Sequence, residues 1–312
     1  MRSFLMRRAA YSMFALIGAT ILVFSLSRLV GDPRLIYAQE GGYGIPQETW
    51  ERLGEKMGLD KPVIVQYAIW LGKTVRGDLG NSLLDQKPVT GIIMSRVGAT
   101  LRLAAVAWVF ATLVGVPLGI LSAVKRGGVL DGMARTFALL GQTLPPFWIG
   151  IMGILIFGVK LGWLPSAYKY EPGLNLSSYV MPAVTLGWFA AAGYMRLTRS
   201  AMLDVLDSEY MKLARAKGVS NVVLIWKHAF RNAIIAPLTF SSLILGGFIT
   251  GTVVVETVFS WPGLGRLAVE STWDNDFALM TGCVLLFTVM FVGINFITDV
   301  IYAYVDPRIR YG

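Results

Sequence analysis

The sequence predicts an all-α membrane protein with six transmembrane helices, and three observations support this prediction. Hydrophobic residues make up 55% of the 312-residue chain and charged residues 15%, whereas soluble domains usually carry about 25% charged residues. The mean hydropathy is +0.60. Six uncharged stretches are at least 19 residues long, close to the roughly 20 residues that cross a bilayer. They are 9–27, 103–124, 136–159, 172–195, 232–255 and 277–298.

The basic residues predict that both termini are cytoplasmic. Three arginines precede the first span, and loop 125–135 carries three bases against one acid, Asp131. Loop 196–231 carries seven bases against three acids, whereas segment 256–276 carries one base against four acids. An excess of Lys and Arg marks the cytoplasmic side of a membrane protein. The net charge of +9 therefore indicates basic cytoplasmic loops rather than a surface for nucleic acid.

This pattern divides the chain into three parts. Residues 1–30 are the cytoplasmic N-terminus and the first span, 31–98 are an extracytoplasmic segment, and 99–312 are the membrane core with spans two to six. Within the core, a cytoplasmic segment at 196–232 is long enough to fold by itself into short helices.

The sequence of the extracytoplasmic segment predicts two short helices. The first begins near Gln47 or Thr49 and ends at Met57, because Gly58 stops it. The second covers 63–75 and is amphipathic, with aromatic side chains suited to a membrane interface. Two interpretations are compatible: a cap that lies on the membrane, and a docking surface for a soluble partner outside.

The cytoplasmic segment also predicts helices. Leu203, Leu206, Tyr210 and Leu213 recur at steps of three and four, which predicts one continuous apolar stripe. Such a helix could lie on lipid, connect two spans in solvent, or bind another protein.

The ends of the short helix have their own signals. Ser208 is a candidate N-cap and Glu209 occupies the favourable first turn. Lys217 is predicted in the last turn and Gly218 just beyond it. Ser220 is a candidate cap for the next helix. Small residues around this turn would let a partner surface approach closely, which favours docking.

Common catalytic signatures are absent from the sequence. It contains no G-x-x-x-x-G-K-[ST] phosphate loop, no H-E-x-x-H and no G-x-S-x-G. One Cys and one His argue against a zinc cluster. The uncharged spans disfavour a proton-coupled carrier, since such relays use intramembrane acids. A path through the membrane would then use neutral polar groups, although each could equally serve helix–helix hydrogen bonding. The candidates are Gln142, Thr143, Ser241, Ser242, Thr252 and Asn295.

Packing and bending signals accompany these spans. Gly115-x-x-x-Gly119 and Gly247-x-x-x-Gly251 predict close helix packing. Pro117 predicts a kink in the second span, and the pair Pro145–Pro146 predicts one in the third.

A set of motifs in fixed order resembles one family. GDP follows the first span, then come MGLDKPVIVQY, RGDLGNS, PPFWIG, VKLGWLP, ETVFSWPGLGRL and the closing YAYVDPRIRYG. Together with ARAKG followed by H-x-x-R-N-A-x-x-P, they resemble the permease subunits of bacterial ABC importers, closest to the B-type subunit of the dipeptide/oligopeptide branch. The general importer motif E-A-A-x-x-x-G is matched here only at Ala214 and Gly218. The chain therefore departs from the general motif but has the sequence pattern typical of the dipeptide/oligopeptide branch at this position.

The resemblance implies a type I importer permease fold and no catalytic residue. It implies a second, C-type permease subunit, two ATPase subunits that carry ATP and Mg, an extracytoplasmic substrate-binding protein and a bacterial or archaeal plasma membrane. The substrate would be a di- or oligopeptide, with nickel or a metal chelate, glutathione and oligosaccharide as alternatives. An ATPase-independent carrier and a membrane-anchored scaffold are alternatives from other classes. The residues implied to bind the ATPase are Glu209, Tyr210, Leu213, Ala214, Arg215, Ala216, Lys217, Gly218 and Ser220.

Overall fold

The computed structural model describes residues 2–29, 34, 46–82, 84–168 and 175–305. Within these ranges the chain is helical, and the only bridge between extended residues joins Asn81 and Pro88. The GDP motif at 31–33 and the last residues of the closing motif, 306–312, lie outside the described residues. The helices are α1 Arg2–Leu29, α2 Gln47–Met57, α3 Val63–Val75, α4 Val89–Val124, α5 Val129–Thr143, α6 Pro146–Gly153, α7 Leu176–Leu206, α8 Glu209–Ala216, α9 Asn221–Val223, α10 Arg231–Ala233, α11 Ile235–Val258, α12 Leu264–Trp273 and α13 Phe277–Val305. Two π-helical stretches, Ile154–Lys160 and Leu224–Phe230, follow α6 and α9.

Four helices in the described ranges are long and apolar enough to cross a membrane. They contain Met6–Leu26, Val89–Val124, Ile235–Val258 and Phe277–Val300. The bent pair of α5 with α6 and its π-helical continuation would make a fifth span. Helix α7 is 31 residues long and includes most of the predicted fourth span, but it is not among these four helices. Six spans therefore remain a prediction.

The predicted third span, 136–159, is not one straight helix. The chain leaves α5 at Leu144 and Pro145, both in extended conformation, and turns by 110° into the next helix. Pro146 occupies the first turn of α6, where its missing N–H costs nothing. The two prolines thus break the helix, a stronger effect than the predicted kink.

The two short outer helices are confirmed. Helix α2 begins at Gln47 and ends at Met57, and Gly58 follows with a φ of +68°. Helix α3 spans the predicted 63–75. Its aromatic residues Tyr67 and Trp70 pack on Phe24 of α1 at ring-centroid distances of 5.4 and 5.5 Å.

The chain forms two compact units, one from Met1–Ala99 with Pro262–Phe296 and the other from Thr100–Trp261 with Ile297–Gly312. The first unit has a core from the start of α4, α12 and α13. Gly282 allows this packing, since a Cβ there would lie 2.7 Å from Ile93 Cδ1. Asp276 accepts a hydrogen bond from buried Ser82 and caps α13 through the N–H of Leu279.

The second unit is built on the close approach of α4 and α7. A Cβ at Gly115 would lie 2.4 Å from the carbonyl oxygen of Ala191, and one at Gly119 would lie 2.6 Å from Thr198 Cβ. The first glycine motif therefore packs as predicted. The second packs closely at one glycine only: a Cβ at Gly251 would lie 3.2 Å from Leu186 Cδ1, whereas one at Gly247 would meet no described atom within 4 Å.

Candidate functional site

Helix α8 is a separate two-turn helix between two sharp turns. Its N-cap is Ser208, as predicted, with extended backbone, but the Ser208 hydroxyl donates to the Val205 carbonyl instead of to the first turn. After α8, Gly218 has a φ of +78°. The Gly218 N–H donates to the carbonyl of Arg215 at 2.9 Å, which closes the turn as predicted for a glycine beyond a helix end.

The buried face of α8 differs from the predicted apolar stripe. Met211 is fully buried and Ala214 is 8% exposed, whereas Tyr210 and Leu213 are 49% and 59% exposed. The prediction of one stripe is wrong because α7 ends at Leu206 and the turn at 207–208 resets the helical register. Leu203 and Leu206 lie on α7, whereas Tyr210 and Leu213 lie on α8, so their regular spacing in the sequence does not place them on one face.

Met211 and Ala214 hold α8 against the second unit. They pack in a cluster with Ile120 of α4, Met202 of α7 and Leu224 of the following π-helical stretch. Residues of α4, α7 and the chain leading into α11 therefore meet under one short helix. A displacement of α8 would be passed to all of them, since close-packed interiors transmit strain.

The exposed face of α8 and the turn that follows it contain almost every residue implied to bind a partner. The exposed members are Glu209, Tyr210, Leu213, Arg215, Ala216, Lys217, Gly218 and Ser220. Glu209 pairs with Lys212 at 2.7 Å, an exposed contact that contributes little to stability. The Tyr210 hydroxyl shares a hydrogen bond with His228 Nδ1, and the two rings pack 5.7 Å apart. His228 thus acts as a structural partner of α8.

Sequence reasoning missed a buried ion pair beside this site. Arg199 of α7 donates to both carboxylate oxygens of Asp131, at 2.8 and 3.1 Å. The same carboxylate accepts hydrogen bonds from Ser122 of α4 and from the N–H of Gly127. Asp131 is the single acid of a basic loop, and that isolation is the only signal in the sequence. The pair fixes the end of α7 from which α8 begins.

The predicted path residues lie in several environments. Gln142 accepts a hydrogen bond from Arg196 at 2.9 Å, and Ser241 accepts one from the Trp108 indole at 2.9 Å. Thr143 is exposed and donates to the Leu139 carbonyl of its own helix. In the same way buried Thr252 donates to the Ile249 carbonyl, and Asn295 is half-buried in α13. The side chain of Ser242, on α11, lies outside the described residues.

The predicted spans contain no acid, but an acid lies just beyond the end of two of them, inside the same helices. Helix α11 continues to Val258, so it includes Glu256, which is fully buried and accepts a hydrogen bond from Thr100 at 2.7 Å. The span Phe277–Val300 also includes Asp299. The predicted spans 232–255 and 277–298 end just before these acids, because each span is defined as an uncharged stretch. The absence of acids therefore holds for the middle of these two helices and not for their ends.

Comparison with known proteins decides the family. Residues 115–311 match the model of the binding-protein-dependent transport system inner membrane component family. The chain belongs to this family. The match covers all of α8, both turns that bound it and the Asp131–Arg199 pair.

Full-length relatives agree with this assignment. The chain is 36% identical over 319 residues to the oligopeptide transport system permease protein AppB of Bacillus subtilis (strain 168), with all of both chains covered. It is 35% identical over 339 residues to the dipeptide transport system permease protein DppB of Escherichia coli (strain K12), covering 100% of this chain and 99% of that protein.

The fold also resembles a solved transporter. A chain of the inward-facing MetNI methionine ABC transporter aligns with a TM-score of 0.56 and 20% identity, covering 69% of this chain and 96% of that one. The chain therefore has the type I importer permease fold. It is a multi-pass membrane protein and a transporter permease subunit rather than an enzyme. ATP hydrolysis belongs to the partner ATPases of such systems.

Proposed function

We propose that the chain is the B-type permease subunit of an ATP-driven importer for di- and oligopeptides and forms half of the translocation path. A C-type permease subunit would form the other half. The observation that carries this proposal is α8, a helix held by a buried face and exposing both charged and apolar side chains next to a glycine turn. The peptide substrate rests on the full-length similarity to dipeptide and oligopeptide permeases.

The ATPase subunits would bind the exposed face of α8. ATP and Mg would lie on those subunits. Closure of the ATPases around ATP would press on α8, and the cluster of Met211 and Ala214 would carry the displacement to α4 and α7. This coupling requires two global states that ATP favours unequally.

The extracytoplasmic segment and the membrane core also have proposed roles. An extracytoplasmic binding protein would deliver the peptide, and the segment with α2 and α3 is one surface on which it could dock. Lipid would surround the apolar exposed faces, and the location would be the bacterial inner membrane. Gln142, Thr143, Ser241, Ser242, Thr252 and Asn295 remain the proposed lining of the path.

Substitution of Gly218 tests the docking role. A Cβ at Gly218 would meet no atom within 4 Å, so a side chain there projects outward from a backbone that disfavours it. We expect Gly218→Trp to abolish uptake of a labelled dipeptide and to release the ATPases from the purified complex. Gly58→Trp is the matched control, because Gly58 also follows a helix with positive φ and open space. ATPases that stay bound to Gly218→Trp would refute the docking surface.

A further inference from the structure

An arginine-rich cavity lies beside the coupling segment. It has a volume of about 560 Å³ and is formed by the second half of α5, the last third of α7 and the charged residues Arg126 and Asp207 beside them. This volume falls within the roughly 300–1,000 Å³ of small-molecule sites. The charged residues that line it are Arg126, Arg135, Arg196, Arg199, Asp204 and Asp207.

The cavity carries excess positive charge. Its lining has four arginines against two aspartates, and Asp131 behind Arg199 reduces the excess to one. Arg199 is committed to Asp131 through two hydrogen bonds, and Arg126 pairs with Asp207 at 3.1 Å. A ligand with a single negative charge would therefore neutralise the cluster.

Two guanidinium groups remain available to such a ligand. Arg196 donates to the neutral amide oxygen of Gln142, and no carboxylate of the described residues pairs with it. The Arg135 side chain is 61% exposed and lies 3.6 Å from the carboxylate of Asp131, whose oxygens already have closer donors. Guanidinium groups match the geometry of phosphate oxygens and bind them in pairs.

Helix α5, which lines one side of the cavity, also exposes apolar side chains. Leu139 lines the cavity and is 64% exposed, and the same helix exposes Val129, Leu130 and Met133. A ligand with a charged head and an apolar tail fits this combination of surfaces. Basic pockets between membrane helices on the cytoplasmic side are suited to anionic lipid headgroups.

We propose that this cavity binds a phosphate-bearing anion through Arg135 and Arg196. The phosphodiester headgroup of an anionic phospholipid and free inorganic phosphate share this chemistry. The exposed apolar side chains of α5 favour the lipid. The site lies next to Asp207, one residue before the N-cap of α8, so its occupancy bears on the segment that couples to the ATPases. It does not depend on the identity of the transported substrate.

Native mass spectrometry tests the lipid. The chain is purified with its co-purifying subunits, exposed to phosphatidylglycerol, and compared with Arg135→Gln/Arg196→Gln. We expect about tenfold less retained phosphatidylglycerol in the double variant, since each lost charged hydrogen bond is costly. Lys125→Gln is the matched control because Lys125 is an exposed base of the same loop that does not line the cavity. Arg135→Lys/Arg196→Lys keeps the charge and provides a second variant if the first does not fold.

A second measurement separates the two sources of phosphate. Delipidated protein is dialysed against labelled inorganic phosphate. Phosphatidylglycerol retention that depends on the two arginines supports a lipid site. Arginine-dependent binding of inorganic phosphate without lipid retention supports a site for soluble phosphate. Equal binding of both probes by the wild type and the folded double variant would overturn the proposal.

Discussion

Asp131 is the residue at which three parts of the second unit meet. Its carboxylate joins the end of α4, the loop before α5 and Arg199 of α7. Burying a charge is costly unless hydrogen bonds satisfy it. Here four donors satisfy one carboxylate, so the cost arises only when a partner is removed.

Asp131→Asn should therefore destabilise the protein strongly. Removing one partner of a buried ion pair costs roughly 3–5 kcal/mol, and we expect the lower end because Arg199 keeps some exposure to water. The measurement is the thermal unfolding midpoint in detergent. Asp207→Asn breaks an exposed pair with Arg126 and should cost at most about 1 kcal/mol. Equal effects of the two variants would contradict this assignment.

Gly115 provides a second prediction at the residue scale. A Cβ there would clash with the Ala191 carbonyl at 2.4 Å, so Gly115→Ala must push α4 and α7 apart. Overpacking of this kind costs roughly 1–3 kcal/mol. Gly247→Ala adds the same methyl where nothing lies within 4 Å, and should be neutral or stabilising. A lower unfolding midpoint for Gly247→Ala than for Gly115→Ala would contradict this prediction.

At the scale of the element, the two faces of α8 have different roles. The face with Met211 packs in the core, and the face with Leu213 is the proposed ATPase-binding surface. Met211→Ala empties a buried position and should cost roughly 2–5 kcal/mol of stability. Leu213→Asp changes an exposed position and should leave the unfolding midpoint unchanged while it reduces ATPase co-purification. Measuring both quantities on both variants tests the assignment of faces. Loss of stability without loss of ATPase in Leu213→Asp would assign that face to the core.

The elements also show what the sequence could predict. Helices α2 and α3 were predictable to within a residue or two because Gly and Pro punctuate them locally. The exposed face of α8 could not be predicted from the sequence, since it depends on where the chain turns between Leu206 and Glu209. The bond between Asp131 and Arg199 joins residues 68 positions apart, and no local pattern encodes it. Local signals thus define the ends of helices, whereas tertiary contacts decide which faces are buried.

At the scale of the whole molecule, the main question is which energy source drives transport. Family membership points to ATP hydrolysed by partner subunits. Buried Glu256 raises the competing hypothesis of a proton site, because acids buried in membrane helices often belong to proton relays. Its bond from Thr100 also allows a purely structural role, in which the carboxylate ties α4 to α11.

Glu256→Gln distinguishes these roles. Glutamine keeps an acceptor for the Thr100 hydroxyl but cannot exchange a proton, so a structural role predicts nearly normal ATP-driven dipeptide uptake. The measurement uses proteoliposomes that contain the complete complex, with ATP on the ATPase side. Collapsing the proton gradient should leave uptake by the wild type unchanged, and removing ATP should abolish it. Wild-type uptake that disappears with the gradient, together with loss of uptake in Glu256→Gln while the gradient is intact, would transfer the driving force from the ATPases to Glu256.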